Sequence, residues 1–226
     1  MGTSNPNEWK RVITLSLGPA WSAPGTTQTI NFSPAVPPQT YVPVSNTQIM
    51  GNGELFAGLQ KSILANVQAQ LGLAVAGTTD IQLNGNIWQD NDPDFNNFIY
   101  NYKISHSHVA IKGKLLKEFN AFVQPYVGAS LGVGFNHAFH YNNLPRLPEV
   151  SPEPPFQSDT TTAFTYTLDI GIQKILNQHW SVGMGYEFAD WGTTRLGLAS
   201  GQLTGTGLSV NHVYTNELQF NLSFVA

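Results

Sequence analysis

Seven ionisable residues stand on the polar side of segments in which apolar and polar residues alternate: Lys10, Glu54, Lys112, Lys114, Asp169, Glu187 and Glu217. Three bases and four acids confined to one face should pair, because an unpaired buried charge is costly. Such a set can form a fixed salt-bridged plug, or a gate whose pairs exchange to open a small pore. A second constellation is "SHSH", residues 105–108. His106 and His108 share the polar face, and His140 is expected on it near the end of the following segment. Ser105 and Ser107 alternate onto the opposite face. Nucleophilic hydrolysis needs a histidine able to reach and activate the serine, so this pattern points away from catalysis and no catalytic residue is expected. Two histidines two residues apart on a strand could bind a metal, but hydrogen bonding in a polar interior accounts for them, and neither metal nor cofactor is expected. "DNDPD", residues 90–94, starts like a calcium loop. That loop wants Gly at its sixth position and Glu at its twelfth; here these are Phe95 and Asn101.

The elements that carry these groups have a period of two, the signature of strands rather than helices. Eight strands are predicted, over 9–22, 46–59, 67–79, 102–116, 123–140, 162–174, 180–191 and 210–224. Tight turns near "QKSILAN", "KEFNA" and "ILNQH" join strands two to three, four to five and six to seven. The other four connections are long: 23–45, 80–101, 141–161 and 192–209. Long and short alternate without exception, so an up-and-down arrangement gathers all long loops at one end. Loops of this length usually have a function or are mobile. Their aromatics, Phe32, Tyr41, Trp88, Phe95, Phe98 and Phe156, are candidates for contact with a partner, for packing on one another, or for resting on a membrane surface.

Composition narrows the class. The chain has 226 residues, and only 11% are charged while 12% are aromatic. A net charge of −4 without a basic run argues against nucleic acid, whose phosphates need clustered Lys and Arg. The absence of cysteine excludes disulfides and thiolate metal sites. No apolar run reaches the roughly 18–20 residues of a membrane helix, and "MGTSNPNE" lacks the apolar centre of a cleavable signal. A cytosolic chain and a mature chain bearing a start Met both fit that beginning.

The two faces of the strands decide between barrel types. A soluble strand face usually carries many Lys and Glu. These polar faces carry mostly Gly, Ser, Thr, Ala, Asn and Gln, which fit a narrow interior. In "VQPYVGASLGVGF", 123–135, the apolar residues take one side and the glycines the other. A register in which paired positions sum to about 240 sets Gly128 opposite Lys112, Gly132 opposite His108 and Gly134 opposite His106; Gly72 is likewise expected to make room for Glu54. Aromatics gather near strand ends: Trp9, Phe122 and Trp180 toward the short turns, and Trp21, Phe135, Phe139, Phe164, Tyr186 and Phe188 toward the long loops. Two aromatic girdles around an aliphatic band are expected of a transmembrane barrel. The alternative is a soluble, lipocalin-like barrel with an apolar ligand cavity.

Two stretches resemble the eight-stranded outer-membrane barrels related to the membrane domain of outer-membrane protein A. "QPYVGASLGVGF" is similar to that family's Pro-Tyr-Val-Gly strand start. "LDIGIQKILNQHWSVGMGYEFADWG", 168–192, is similar to its sixth and seventh strands. "NELQFNLSF" resembles the terminal signal read by the outer-membrane assembly machinery, with Leu222 and Phe224 at the apolar positions, although Gln219 stands where Gly is frequent and two residues follow Phe224. The resemblance implies one all-β domain over 1–226, an eight-stranded antiparallel up-and-down transmembrane β-barrel with short periplasmic turns, four long extracellular loops and no periplasmic domain. It also implies a mature chain in the bacterial outer membrane, in contact with lipid and lipopolysaccharide. Within the family a structural or adhesin-like surface role, a narrow channel for ions or small solutes, and lipid modification all occur, and fold does not choose among them.

Overall fold

The computed structural model describes residues 8–119, 123–148 and 151–226. Its strands are β1 (Lys10–Ser22), β2 (Gln28–Ile30), β3 (Gln39–Val44), β4 (Gln48–Leu64), β5 (Val67–Thr78), β6 (Ile81–Trp88), β7 (Asn96–Lys117), β8 (Val123–Pro145), β9 (Asp159–Ile175), β10 (Trp180–Asp190), β11 (Thr194–Arg195), β12 (Ser209–Val210) and β13 (Tyr214–Val225). Eight of them close a ring: β1, β4, β5, β7, β8, β9, β10 and β13, each antiparallel to the next, with β13 returning to β1. These are the eight strands that alternation predicts.

The outer surface of the ring is aliphatic. Ile13, Leu15 and Leu17 on β1, Leu71, Leu73 and Val75 on β5, Val109, Ile111 and Leu115 on β7, and Leu168, Ile170 and Ile172 on β9 all point out and are exposed. The inside is polar, with Thr14, Ser16, Glu54, Gln70, Lys112, Ser130, Thr167, Asp169 and Glu187 buried. A chain soluble in water would reverse these faces, so the soluble alternative falls and the exterior is lipid-facing. A short apolar layer of Val12, Phe56 and Ala74 interrupts the polar interior below the charges.

The strands extend further than expected at the long-loop end. Strand β7 begins at Asn96 rather than near 102, and β8 runs to Pro145. On that tall side β6 pairs with β7, β3 with β6 and β2 with β3. The segment 80–101, expected as a loop, is therefore largely sheet. A bulge shifts the β7–β8 register between Asn101 and Lys103, and His140 there takes a positive φ of 54°.

The β7–β8 ladder sums to 242, not 240: Lys112 lies opposite Ser130, Lys114 opposite Gly128 and His108 opposite Gly134. The ladder is centred one residue later in the chain than the estimate, and a slip of two in the pairing leaves every face unchanged. Gly72 stands opposite Gly58 and Lys112, whereas Glu54 stands opposite Ala76. Two glycines do make room for polar groups. A Cβ on Gly128 would lie 2.9 Å from Asp169 Cγ, and one on Gly134 would lie 2.7 Å from His106 Cε1.

Candidate functional site

Strand β7 sends Lys112 across the lumen, where carboxylates from three other strands converge on it. Its Nζ donates to Glu54 Oε1 at 2.7 Å and Oε2 at 3.0 Å, and to Glu187 Oε2 at 3.0 Å. Asp169 Oδ1 lies 3.8 Å away. Lys114 Nζ is 3.8 Å from Asp169 Oδ2 and 4.3 Å from the Tyr126 ring centroid. Lys112 is 1% exposed, so side chains fill the cross-section at this height. An eight-stranded barrel is just wide enough for that.

The acids crowd one wall. Asp169 and Glu217 each stand directly opposite Glu187, on neighbouring strands β9 and β13. Glu217 accepts from Asn52, while its Oε1 has no hydrogen-bond partner among the described residues. Lys10 does not join this cluster: it lies exposed at the short-turn rim, six residues below the position on β1 that faces Glu54. The buried set is thus four carboxylates and two lysines.

Glutamines close the short-turn mouth. Gln70 donates to Gln60, Gln60 to Gln68 and Gln68 to Glu118, while Gln173 donates to Gln124 and Gln124 to Glu118. The two amide chains meet on one carboxylate, which takes charge-assisted bonds from both. Sequence reasoning passed over these residues because Gln on a polar face carries no signal by itself.

Above the charges, His106 and His108 are buried together. His106 Nδ1 is 2.6 Å from Asn136 Oδ1, its Nε2 is 2.9 Å from His108 Nδ1, and its ring stacks on Trp191 at 4.4 Å. Asn136 Nδ2 in turn donates to the carbonyls of Trp191 and Thr193. His140 differs from expectation. The bulge turns it outward and leaves it exposed beside Phe139.

The long connections do not hang free. Their apolar residues build a cap with its own core of Ile30, Phe32, Tyr41, Ile81, Leu83, Ile87, Phe98, Tyr100, Tyr102, Phe156, Trp191, Leu196, Leu208, Val210 and Val213. Phe156 lies 6.0 Å from Phe32, 5.6 Å from Tyr41 and 5.0 Å from Tyr141. Burial pushes the Tyr41 phenol well above its usual range, so it stays neutral. Of the six loop aromatics offered for partner contact, mutual packing or a membrane surface, four, Phe32, Tyr41, Phe98 and Phe156, take the packing role as core residues of the cap. Trp88 is half-buried and Phe95 exposed. In "DNDPD" the Asp92 carboxylate accepts from the Asp94 N–H, a local turn bond.

The aromatics expected in the girdles lie on the outer surface. Trp9, Phe135, Phe164, Trp180 and Tyr186 are exposed and Trp21, Phe139 and Phe188 partly so; Phe122 lies outside the described residues. An aliphatic band flanked by aromatics, around a polar filled interior, defines a transmembrane β-barrel.

No protein-family model matches the chain, and no curated protein matches it. Among solved structures it is similar to the outer membrane protein OprG from Pseudomonas aeruginosa, with a TM-score of 0.52 at 13% identity over 99% of this chain and 100% of that one. Neisserial surface protein A aligns at a TM-score of 0.48 with 11% identity, over 95% of this chain and 96% of that one. Ail of Yersinia pestis aligns at 0.37 with 11% identity, over 95% and 98%. The fold is that of the small outer-membrane β-barrels with an eight-stranded ring.

Proposed function

We propose that the protein is a non-catalytic, integral barrel of a Gram-negative outer membrane whose working surface is the extracellular cap. The observation that carries this reading is Lys112, 1% exposed and held by carboxylates from opposite walls. A lumen filled at that level anchors the protein, and what remains accessible to the outside is the cap. Its exposed apolar tips, Val36, Phe95 and Leu203, stand on a packed base and are suited to meet a ligand or a host surface. The outward Leu222 and Phe224 of β13 are the features for recognition by the assembly machinery, and the aliphatic band is the surface for lipid.

The test compares the refolded protein with a Val36→Ser, Phe95→Ser, Leu203→Ser variant for adhesion to host matrix and cells, and for conductance in planar bilayers. Adhesion lost in the variant, with neither protein conducting, supports the reading. Steady conductance through the intact barrel would overturn it in favour of a narrow channel.

A further inference from the structure

On the low side of the barrel, where β1 and β13 meet, a cavity of about 500 Å³ opens on the outer wall just above the aliphatic band. Trp21 forms one side and Tyr214 with His212 the other; Asn216 lies between them, opposite Trp21 in the β1–β13 ladder. Thr47, Asn211 and the segment 22–26 complete the lining. We propose that this groove binds the sugar headgroup of a glycolipid in the surrounding leaflet. The inference rests on the outer-membrane placement but not on what the cap binds.

Three observations carry it. The first is the imidazole, which is built into place. His212 Nδ1 lies 2.8 Å from Asp190 Oδ2, and the Asp190 side chain is 6% exposed with its Oδ1 accepting the Gly192 N–H. The ring lies parallel to Tyr214 at 5.4 Å, and Tyr214 stacks on Phe188 at 5.8 Å. In the neutral imidazole a carboxylate at Nδ1 fixes the proton there and leaves Nε2 to accept from a hydroxyl. The second is Asn216. Its Oδ1 accepts from the Tyr186 hydroxyl, so its NH₂ remains to donate. A hydroxyl-rich ligand uses one acceptor and one donor so arranged, and the indole and phenol faces suit the C–H faces of a sugar ring. The third is charge. Among the described residues no Lys or Arg lines the cavity, and a buried Asp stands behind it. That favours an uncharged, hydroxyl-bearing ring face inside the groove and leaves any phosphate of the headgroup outside it. The height selects the source: below the groove the outward side chains are Leu218, Phe220 and Leu17, so acyl chains attached to the bound sugar run straight into the lipid band.

The test is native mass spectrometry of protein released from nanodiscs of phosphatidylglycerol with and without rough lipopolysaccharide, with lipid-free core oligosaccharide as a separate arm. Wild type is expected to retain one lipopolysaccharide. Trp21→Ala and His212→Ala are each expected to weaken retention by about tenfold, the scale of one lost stacking or polar contact. Phe164→Ala, an exposed aromatic away from the groove, should leave it unchanged. Should Trp21→Ala refold poorly, Thr47→Trp fills the groove from its exposed rim and must abolish retention. Equal retention by wild type and the groove variants, or capture of the free oligosaccharide without retention of the glycolipid, overturns the proposal. The Val36, Phe95, Leu203 triple variant separates this from the adhesion reading, because it leaves the groove intact.

Discussion

The two halves of β7 are built on opposite rules. From Val109 to Leu115 the outward residues are Val, Ile, Gly and Leu, while His108, Ala110, Lys112 and Lys114 point in. From Phe98 to Lys103 the inward residues are Phe98, Tyr100 and Tyr102, and the outward ones include Asn101 and Lys103. The alternation does not miss a beat across the change; only the chemistry of each face is exchanged, near Ser105 and His106. Below that point the strand is surrounded by lipid and must hide its polar groups inside. Above it water surrounds the strand, and the same geometry supports an ordinary hydrophobic core. One strand therefore records where the membrane ends. It also shows that inside and outside are set by the solvent and not by the barrel.

The two cores should fail differently. Lys112→Ala leaves Glu54, Asp169 and Glu187 buried without their shared cation, and is expected to cost about 3–5 kcal/mol of the stability of the whole barrel. Urea unfolding in detergent micelles, read by heat-modifiable gel mobility, measures it. A loss below about 1 kcal/mol would place the pairs among ordinary surface bridges and sink the account of the plug. Phe156→Ala removes the ring at the centre of the cap and is expected to cost about 3 kcal/mol there. Amide exchange should quicken in β2, β3 and β6 and remain slow in β1 and β13. A uniform quickening would mean that cap and barrel unfold as one unit. Glu217→Gln removes a like charge directly opposite Glu187 while keeping an oxygen for Asn52, and is expected to stabilise the barrel by up to about 1 kcal/mol. A lower melting temperature in this variant would show that the full charge of Glu217 is needed.

The eight-stranded ring and its two faces were legible because period-two alternation survives wherever one face meets lipid and the other a filled lumen. The lumen charges were legible for the same reason, except Lys10, whose correct parity could not reveal that it lies at the exposed rim. The cap was missed. "IQLNGNIW" and "FIYNYKI" alternate as clearly as any membrane strand. Asn84, Asn86 and Asn101 hold their exposed face and the Asp-rich run 90–94 lies between them, so 80–101 reads as loop and only residues 102–104 fall within the predicted fourth strand. The bulge that turned His140 outward was beyond parity reasoning, since one extra residue inverts every later assignment. The groove at Trp21 brings together residues about 190 positions apart. Only closure of the first strand on the last creates it.

That closure returns to Lys112. Its partners arrive from β4, β9 and β10, strands that touch neither it nor all of one another in the ladder. Glu187 lies three strands from Lys112 in the sheet, so its contact across the lumen depends on the curvature of the closed ring. Lys112 meets all three acids only in the complete cylinder. A ring with a strand missing or a register slipped carries a further unpaired carboxylate into the bilayer. The cluster thus ties the pairing of its central cation to closure of the ring.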